Sequence, residues 1–237
     1  MGGTPRMAQP LVELTSRPAS DLAGRLRNAI IDGEFAPGQR LVEAELALQL
    51  GATRSAVRSA MAVLQRDGLV EMHRGRSPRV QQLTLAQAQE LAELRQAIWT
   101  LVAPRAAARC TAADAEALRG GIRAANAATD ATDLVALARC VRDLDTRIAA
   151  VSGHHAAQEA LSSLELRLVH FDFQGITLAG RALAALAEVE DLITAVVAGD
   201  GARAAEAADL HFARMVEAIR RGHTARGGAE GRTVRTA

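Results

Sequence analysis

Arg54 and Arg58 stand four residues apart in a stretch of helical character, so both side chains would project from one face of a single helix. A guanidinium group presents paired N–H donors, which match the two acceptors of guanine in the major groove of DNA. Six arginines and only two acidic residues lie between residues 54 and 79. This pattern predicts binding to nucleic acid, and the alternative interpretation is an ordinary solvated surface.

Three short helices followed by a hairpin must position these arginines. The first helix is predicted to begin near Ser20 and to end at Gly33, and the second to run from about Val42 to Leu50, with Gly51 as its stop. The third is predicted to be capped by Thr53 and closed by Gly68. Two short strands are predicted on either side of a turn at residues 73–78. Three helices, the last two joined by a short turn that contains Gly, are typical of a helix-turn-helix, and the trailing hairpin is a wing. Arg54 and Arg58 lie away from the predicted buried side of the third helix, where a recognition helix meets base edges.

The rest of the chain is predicted to form a second, helical domain. Beyond residue 83 apolar residues recur at helical spacing, and the short connections predict antiparallel neighbours. The predicted fold is therefore mainly α, with an N-terminal winged helix-turn-helix and a C-terminal antiparallel bundle of about six helices. The predicted domains are a flexible arm (1–19), a DNA-binding winged helix-turn-helix (20–82), the helical domain (84–222) and a disordered tail (223–237).

The first helix of the bundle is predicted to begin with a capping box formed by Thr84 and Gln87. Its predicted buried stripe consists of Leu91, Leu94, Ile98 and Leu101. Pro104 interrupts the pattern and is expected to kink or end this helix.

The composition excludes several classes of protein. Aromatic residues make up only 2% of the chain, and the abundance of Ala and Leu favours helix, so an all-β fold is excluded. Cys110 and Cys140 alone cannot build a disulfide framework or a cysteine-rich zinc site. Neither a signal peptide nor a membrane span is recognised, which predicts a soluble, cytoplasmic protein. No phosphate-binding loop, nucleophile elbow or HExxH motif is present, so an enzyme is not expected.

Several segments resemble the winged-helix signature of the GntR family of bacterial transcription regulators. These segments are Leu41-Val42-Glu43, Leu46-Ala47, Leu50-Gly51, Thr53-Arg54, Val57-Arg58 and Gly68-Leu69-Val70. The later part of the chain is similar to the FCD effector domain of the FadR subfamily, in the segments Leu94-Arg95, Ala106-Ala107, Ser152-Gly153 and Gly199-Asp200. The resemblance implies a regulator of transcription with two domains.

The resemblance also implies roles for particular residues in binding DNA. The residues expected to contact DNA are Arg54, Ser55, Arg58, Arg74, Gly75 and Arg76. Those on the recognition helix would contact bases, Gly75 would enter the minor groove, and the two wing arginines would hold phosphates. Ala44 stands where the family often has an arginine, so one DNA contact is missing. The operator is therefore expected to deviate from the short GT…AC palindrome of the subfamily.

The resemblance also implies a metal site, but this sequence lacks part of the family's ligand pattern. Many FCD domains bind a divalent metal with an Asp, a His four residues later and two more His near the end. The corresponding positions here are Val141, Asp145, Val189 and His211. Because valine has no donor atom, only Asp145 and His211 remain as ligands. The metal site is predicted to be degenerate, and no metal or other cofactor is expected.

The same four positions and Arg95 are predicted to line an effector pocket. Its valines suit an apolar acid or an acyl compound, whose carboxylate Arg95 would bind. Two alternatives to an effector pocket stay open. In one, Arg95 belongs to a structural salt bridge. In the other, Asp145 and His211 pair with each other in a core that binds no ligand.

These predictions combine into one mechanism. A homodimer would place two recognition helices on a palindromic operator in double-stranded DNA, and a small effector in the helical domain would change the operator affinity. Repression is the expected default, because most relatives repress. The alternative is an architectural dimeric DNA binder that depends on a metal or responds to no ligand at all.

Overall fold

The computed structural model describes residues 19–73, 75–176 and 181–233. The chain divides between Gln82 and Leu83 into two compact units. The described residues form nine helices and two short strands. The prediction of a mainly α chain, with a winged helix-turn-helix followed by a helical bundle, is confirmed. Residues 1–18, which belong to the predicted arm, lie outside the described part.

The first unit consists of three helices and a two-stranded hairpin. Their bounds are α1 Ala19–Ile31, α2 Glu43–Leu50, α3 Arg54–Arg66, β1 Val70–Glu71 and β2 Arg79–Val80. The strands are antiparallel, with Val70 opposite Val80 and Glu71 opposite Arg79. The hairpin directly follows the third helix, as a wing does.

A short turn at residues 51–53 joins α2 to α3. Gly51 adopts the left-handed conformation at φ +60° and ends α2. Thr53 caps α3, because its Oγ1 accepts a hydrogen bond from the Ala56 N–H at 3.2 Å. The apolar side of α3 is buried and consists of Val57, Ala60, Met61 and Leu64. This packing fixes which side of α3 remains exposed.

The second unit is a helical bundle. The bounds of its described helices are α4 Leu85–Arg109, α5 Ala112–Asp130, α6 Leu134–Val151, α7 His155–Ile176, α8 Arg181–Val197 and α9 Gly201–Thr233. Its core is rich in alanine and contains two large aromatic side chains, Trp99 and Phe212. The two rings stack with 5.0 Å between their centroids.

One helix pair of the bundle approaches closely at a glycine. A Cβ atom at Gly121 on α5 would lie 2.4 Å from Cδ2 of Leu144 on α6, well inside van der Waals contact. At the adjacent Gly120, a Cβ atom would meet only the side chain of Arg123, at 3.6 Å. Of the two glycines, only Gly121 is required for packing.

The buried face of α4 differs from the predicted one. In the first half of the helix the buried residues are Ala88, Ala92, Arg95 and Trp99. Leu94 and Leu101 are 52% and 47% exposed, and Leu91 and Ile98 are half-buried. The predicted stripe is therefore wrong. Alanines on the opposite face let α4 pack closely along α9, its most extensive neighbour, and this outweighs the larger apolar area of the leucines.

Two helices are longer than the sequence predicts. α4 continues through Pro104 to Arg109, so Pro104 does not end it. α9 extends to Thr233, whereas the predicted disordered tail begins at residue 223. Alanine, arginine and glutamate are favourable helix residues and continue the last helix despite its glycines. Residues 234–237 of the predicted tail lie outside the described part.

Candidate nucleic-acid interface and ligand site

The first turn of α3 presents a polar and basic surface. Arg54, Ser55 and Arg58 are all exposed, on the side of α3 away from its buried residues. The Ser55 hydroxyl lies 3.0 Å from the Oγ1 atom of the cap residue Thr53, so the two hydroxyls share a hydrogen bond. The fold thus brings three of the residues predicted to contact DNA to one end of one helix.

Arg58 is held by an acidic residue of the preceding helix. Its Nε donates to Oε1 of Glu43 at 3.0 Å, and its Nη2 donates to Oε2 at 2.6 Å. The Arg58 side chain is 67% exposed and that of Glu43 22%. The hydrogen bonds from Arg58 lower the pKa of Glu43, and they raise the pKa of Arg58 in turn. A two-point ion pair of this kind restricts the orientation of the guanidinium group.

The wing carries the other residues predicted to contact DNA. Gly75 adopts φ +76°, a left-handed conformation that favours glycine. Apart from its chain neighbours, no described residue has an atom within 4 Å of the position that a Cβ atom would occupy there, so this position is open. Arg76 is exposed next to it, and Arg74 lies outside the described residues.

Other arginines of this unit stabilise its scaffold. Nη1 of Arg79 donates to the Gly38 carbonyl oxygen at 2.8 Å. Nε and Nη2 of Arg27 lie 3.2 and 2.5 Å from Oδ2 of Asp67, which connects α1 to the end of α3. The surface available to a polyanion is therefore smaller than the count of arginines in the sequence suggests.

In the second unit, a buried ion pair joins α4 to α7. Nη1 and Nη2 of Arg95 donate to Oδ2 and Oδ1 of Asp172 at 2.6 and 3.0 Å. The guanidinium also lies 5.1 Å from the centre of the Phe212 ring. Burial disfavours the charge of Arg95, but the Asp172 carboxylate outweighs burial and raises the pKa of Arg95. The sequence left Arg95 as either a contact for a ligand carboxylate or a structural salt bridge, and in the structure it forms the salt bridge with Asp172.

Two further carboxyl groups lie near this ion pair. Asp145 on α6 is buried, and within the described part of the chain its Oδ1 has no hydrogen-bond partner. Burial, reinforced by the negative charge of Glu165, raises the pKa of Asp145 well above its usual range. Burial also raises the pKa of Glu165, on α7, to about 7. A neutral carboxylic acid donates a hydrogen bond, so these groups offer donors as well as acceptors.

Glu188 on α8 is the centre of a second buried polar cluster. Arg181 donates to both of its carboxylate oxygens, at 3.1 and 2.9 Å, and Nη1 of Arg214 donates to Oε1 at 3.0 Å. Nδ1 of His211 lies 3.0 Å from Oε2. Burial favours the protonated acid, but these hydrogen bonds outweigh it and lower the pKa of Glu188. Burial lowers the pKa of His211, so a neutral imidazole donates its Nδ1 hydrogen to Glu188.

The proposed pairing of Asp145 with His211 is wrong. Nδ1 of His211 contacts Glu188, and within the described residues neither Nε2 of His211 nor Oδ1 of Asp145 has a partner. Glu188 takes this contact because the packing of α8 against α9 brings it to His211.

The residues at the family's metal positions do not fit a divalent ion. Val141 and Val189 are buried aliphatic side chains with no donor atom. Asp145 and His211 supply two donors, fewer than protein sites for zinc use. Across the described residues, no group of three or more His, Cys, Asp or Glu side chains is placed to hold a metal.

Buried polar atoms without a partner concentrate in the second unit. Among the described residues these atoms are Arg95 Nε, Trp99 Nε1, Asp145 Oδ1, His170 Nε2, Arg181 Nε and His211 Nε2. Buried polar groups are normally paired, because an unpaired group loses the hydrogen bonds that it makes to water. A polar ligand or ordered water would supply the missing partners. Among the described residues, these unpartnered atoms all belong to the helical unit.

Sequence reasoning missed the residues that organise this interior. Asp172 and Glu188 carry the two ion-pair clusters, and neither belongs to a recognisable motif. Glu188 does leave one signal, because it is a charged residue beside Val189 within a strongly apolar helix. Phe212 is the residue after His211 and lies against Arg95, Trp99 and His211.

Comparison with known proteins identifies the family. Residues 18–80 match the bacterial regulatory proteins of the gntR family, and residues 90–214 match the FCD domain. The HTH-type transcriptional regulator Rv0494 of Mycobacterium tuberculosis is 32% identical over 225 residues, which cover 84% of this chain and 90% of that protein. The chain therefore belongs to the GntR family of DNA-binding transcription regulators and has an FCD effector domain, as its sequence resemblance predicted.

Solved structures of regulators share this fold. McbR/YncC of E. coli superposes with a TM-score of 0.78 at 17% identity, over 88% of this chain and 100% of that one. A GntR transcriptional regulator from Rhodococcus sp. RHA1 gives a TM-score of 0.72 at 21% identity, over 85% and 96% of the two chains. None of the described helices combines the length and the apolar character that crossing a membrane requires.

Proposed function

We propose that this chain is a homodimeric, cytoplasmic repressor that leaves its operator when a carboxylate ligand binds in the second unit. The observation that carries the proposal is the Arg95–Asp172 pair, a buried cation whose Nε has no partner among the described residues. Trp99, Val141, Val189 and Phe212 belong to one apolar core cluster, and Phe212 lies against Arg95. An apolar or acyl carboxylate matches a cation in such surroundings.

In the DNA-bound state, the first unit would work as winged helices do. Arg54, Ser55 and Arg58 would contact base edges in the major groove. Gly75 would enter the minor groove, and Arg76 would hold a phosphate. A homodimer would repeat this contact on the second half of a palindromic operator.

The proposed ligand acts by exchanging carboxylates on Arg95. A ligand carboxylate that replaces Asp172 keeps the guanidinium paired, and the exchange frees the segment of α7 that carries Asp172. The ligand would therefore bind more tightly to one of two arrangements of α7 against α4. Such a difference in affinity is what allows a ligand to shift the equilibrium between two states. Operator affinity would follow if the two arrangements differ in how they bind DNA. No step of this mechanism uses a metal.

Equilibrium binding to DNA tests the first half of the proposal. Full-length protein is titrated into the DNA upstream of its own gene across a series of salt concentrations, with random DNA for comparison, and followed by electrophoretic mobility shift. We expect tight, salt-dependent binding that the Arg54→Ala/Arg58→Ala variant loses. Equal affinity for both DNAs would contradict a sequence-specific repressor acting at this site and favour the architectural binder.

A ligand series tests the second half. Straight-chain carboxylic acids are compared with the corresponding alcohols, and both the melting temperature and the operator affinity are measured. We expect the acids alone to raise the melting temperature and weaken DNA binding.

Two variants locate the ligand on Arg95. Asp172→Asn removes the competing carboxylate, so acids should bind more tightly. Arg95→Gln/Asp172→Asn removes both charges together, leaves no unpaired ion and should abolish the preference for acids over alcohols. An unchanged preference in the double variant would place the ligand elsewhere, and no response to any acid would contradict carboxylate control.

A further inference from the structure

The outward face of α4 carries the leucines that the bundle leaves exposed. We propose that this face is where a second copy of the chain docks, with the two α4 helices packed antiparallel. The inference rests on the homodimer proposed above and assigns its interface.

The face is an apolar seam with the spacing of a helix pair. Leu94 and Leu101 are 52% and 47% exposed and lie seven residues apart, which is two helical turns. The small exposed Ala97 lies between them, so the steps are three and four residues. This alternation places side chains along one line of contact with a partner helix. Ala97 permits close approach of the two backbones at the middle of the seam.

No other described helix exposes apolar residues in this way. The remaining large exposed hydrophobic side chains are single residues on different helices, namely Leu48, Val135, Leu183 and Leu210. Isolated exposed leucines are ordinary on protein surfaces, whereas a row along one helix marks an interaction surface.

The charges that flank the seam determine which partner fits. Glu90 and Glu93 lie towards the N-terminal end of the seam, and Arg105 lies towards its C-terminal end, all three exposed. Within the described part of the chain none of the three makes an ion pair, in contrast to Arg95 on the buried face. The seam therefore has an acidic end and a basic end.

Such a surface is complementary to itself when one helix is reversed. In an antiparallel pair, the acidic end of one α4 meets the basic end of the other, twice over, around a two-fold axis near Ala97. In a parallel pair, like charges meet at both ends. A two-fold dimer uses the same patch on both subunits, so this surface meets the requirement of such an interface.

Sedimentation of the full-length protein over a range of concentrations tests the assignment. Leu94→Gln/Leu101→Gln removes the apolar seam at exposed positions, and we expect the dimer dissociation constant to rise at least about tenfold. Leu183→Gln, which changes an exposed leucine of α8, is the matched control and should leave the constant unchanged. Circular dichroism checks that each variant retains its helix content.

A charge reversal tests the orientation. Glu90→Arg/Glu93→Arg should weaken the dimer, because arginines then meet Arg105 of the partner chain. Adding Arg105→Glu to this variant restores opposite charges at both ends and should restore the dimer. A parallel pair would show neither effect, because in every variant like groups face each other.

Cross-linking provides a readout that does not depend on affinity. In a Cys110→Ser/Cys140→Ser background, oxidation should join two Ala97→Cys chains, while Leu183→Cys chains should stay separate. A wild-type dimer that none of the α4 variants weakens and that Ala97→Cys does not cross-link would overturn this interface and leave the proposed homodimer intact. A monomeric wild-type chain would overturn both.

Discussion

Glu43 on α2 holds the guanidinium of Arg58 on α3 through two hydrogen bonds, at 3.0 and 2.6 Å. The arginine predicted to read a base is therefore oriented before DNA arrives. A side chain that is ordered in advance loses less conformational entropy on binding. A carboxylate beside a DNA-binding surface would ordinarily repel the phosphates. The position of Glu43 is explained by its hydrogen bonds to Arg58, which it orients.

The first prediction tests whether Glu43 orients Arg58 for contact with a base. Arg58→Ala should weaken operator binding roughly tenfold to a hundredfold, because a bidentate base contact is lost. Glu43→Gln removes the support of Arg58 and a negative charge, so the ratio of operator to random-DNA affinity should fall. Added to Arg58→Ala, it should reduce that ratio no further. Glu45→Gln, at an exposed position of the same helix, is the control, and a ratio that falls equally there would refute the orienting role.

The wing prediction concerns Arg76. If this exposed arginine holds a phosphate, Arg76→Ala should weaken binding to all sequences by a similar factor. It should also reduce the slope of log affinity against log salt concentration by about one. Arg54→Ala is the comparison, since a base contact should change sequence preference as well. An altered base preference in Arg76→Ala alone would reverse the two assignments.

Metal content tests the prediction that Val141 and Val189 leave the family's metal site without enough ligands. Protein purified and dialysed should contain substoichiometric divalent metal by elemental analysis, since Val141 and Val189 supply no donor. Val141→Asp/Asp145→His/Val189→His restores the donor pattern of metal-binding FCD domains and should bind zinc. Stoichiometric zinc in the wild-type protein would show that other residues form a site.

The raised pKa of Glu165 predicts a pH dependence of stability. Its folded-state value of about 7 lies above the usual 4.5, so the native state binds this proton more tightly than the unfolded chain does. The resulting stabilisation is complete below the unfolded pKa and is lost as the pH rises through about 7. Urea unfolding between about pH 5 and about pH 8 should therefore show a loss of stability that Glu165→Gln reduces by on the order of 2 kcal/mol.

Glu159, an exposed carboxylate of α7, provides the control for this measurement. Glu159→Gln should follow the wild-type profile across the same pH range. A Glu165→Gln profile that also follows the wild type would mean that Glu165 titrates normally in the folded protein.

The adjacent glycines of α5 predict opposite effects of one substitution. Gly120→Ala has room for its Cβ and should stabilise the protein by about 0.5–1 kcal/mol through helix propensity. Gly121→Ala must displace the buried side chain of Leu144 and should destabilise by about 1–3 kcal/mol. Thermal and urea unfolding of the two variants measure this difference. The same sign for both would mean that α5 and α6 are less closely packed.

The DNA-binding unit was predictable because its signals are local. Gly51 stops one helix, Thr53 starts the next, and the basic residues follow within one turn. Local patterns could not reveal the role of Glu43, which lies 15 residues from Arg58 and on a different helix.

The polar interior of the helical unit depends on contacts that no local pattern encodes. Arg95 and Asp172 are 77 residues apart, and Glu188 and His211 are 23 apart. Periodicity could place Arg95 on an inward face, but its partner follows from how α7 crosses α4. Even the inward face of α4 was ambiguous, since leucines mark one side and alanines the other. Only the packing of the bundle shows which of the two is buried.

The stacking of Trp99 on Phe212 has a spectroscopic consequence. The chain has one tryptophan and no tyrosine, so light absorbed at long ultraviolet wavelengths excites a single indole. That indole is buried, and the ring beneath it also lies against Arg95 and His211. Its emission is therefore an intrinsic optical reporter of the polar interior. Because the winged-helix unit contains no such fluorophore, the signal responds to events in the helical unit without any added label.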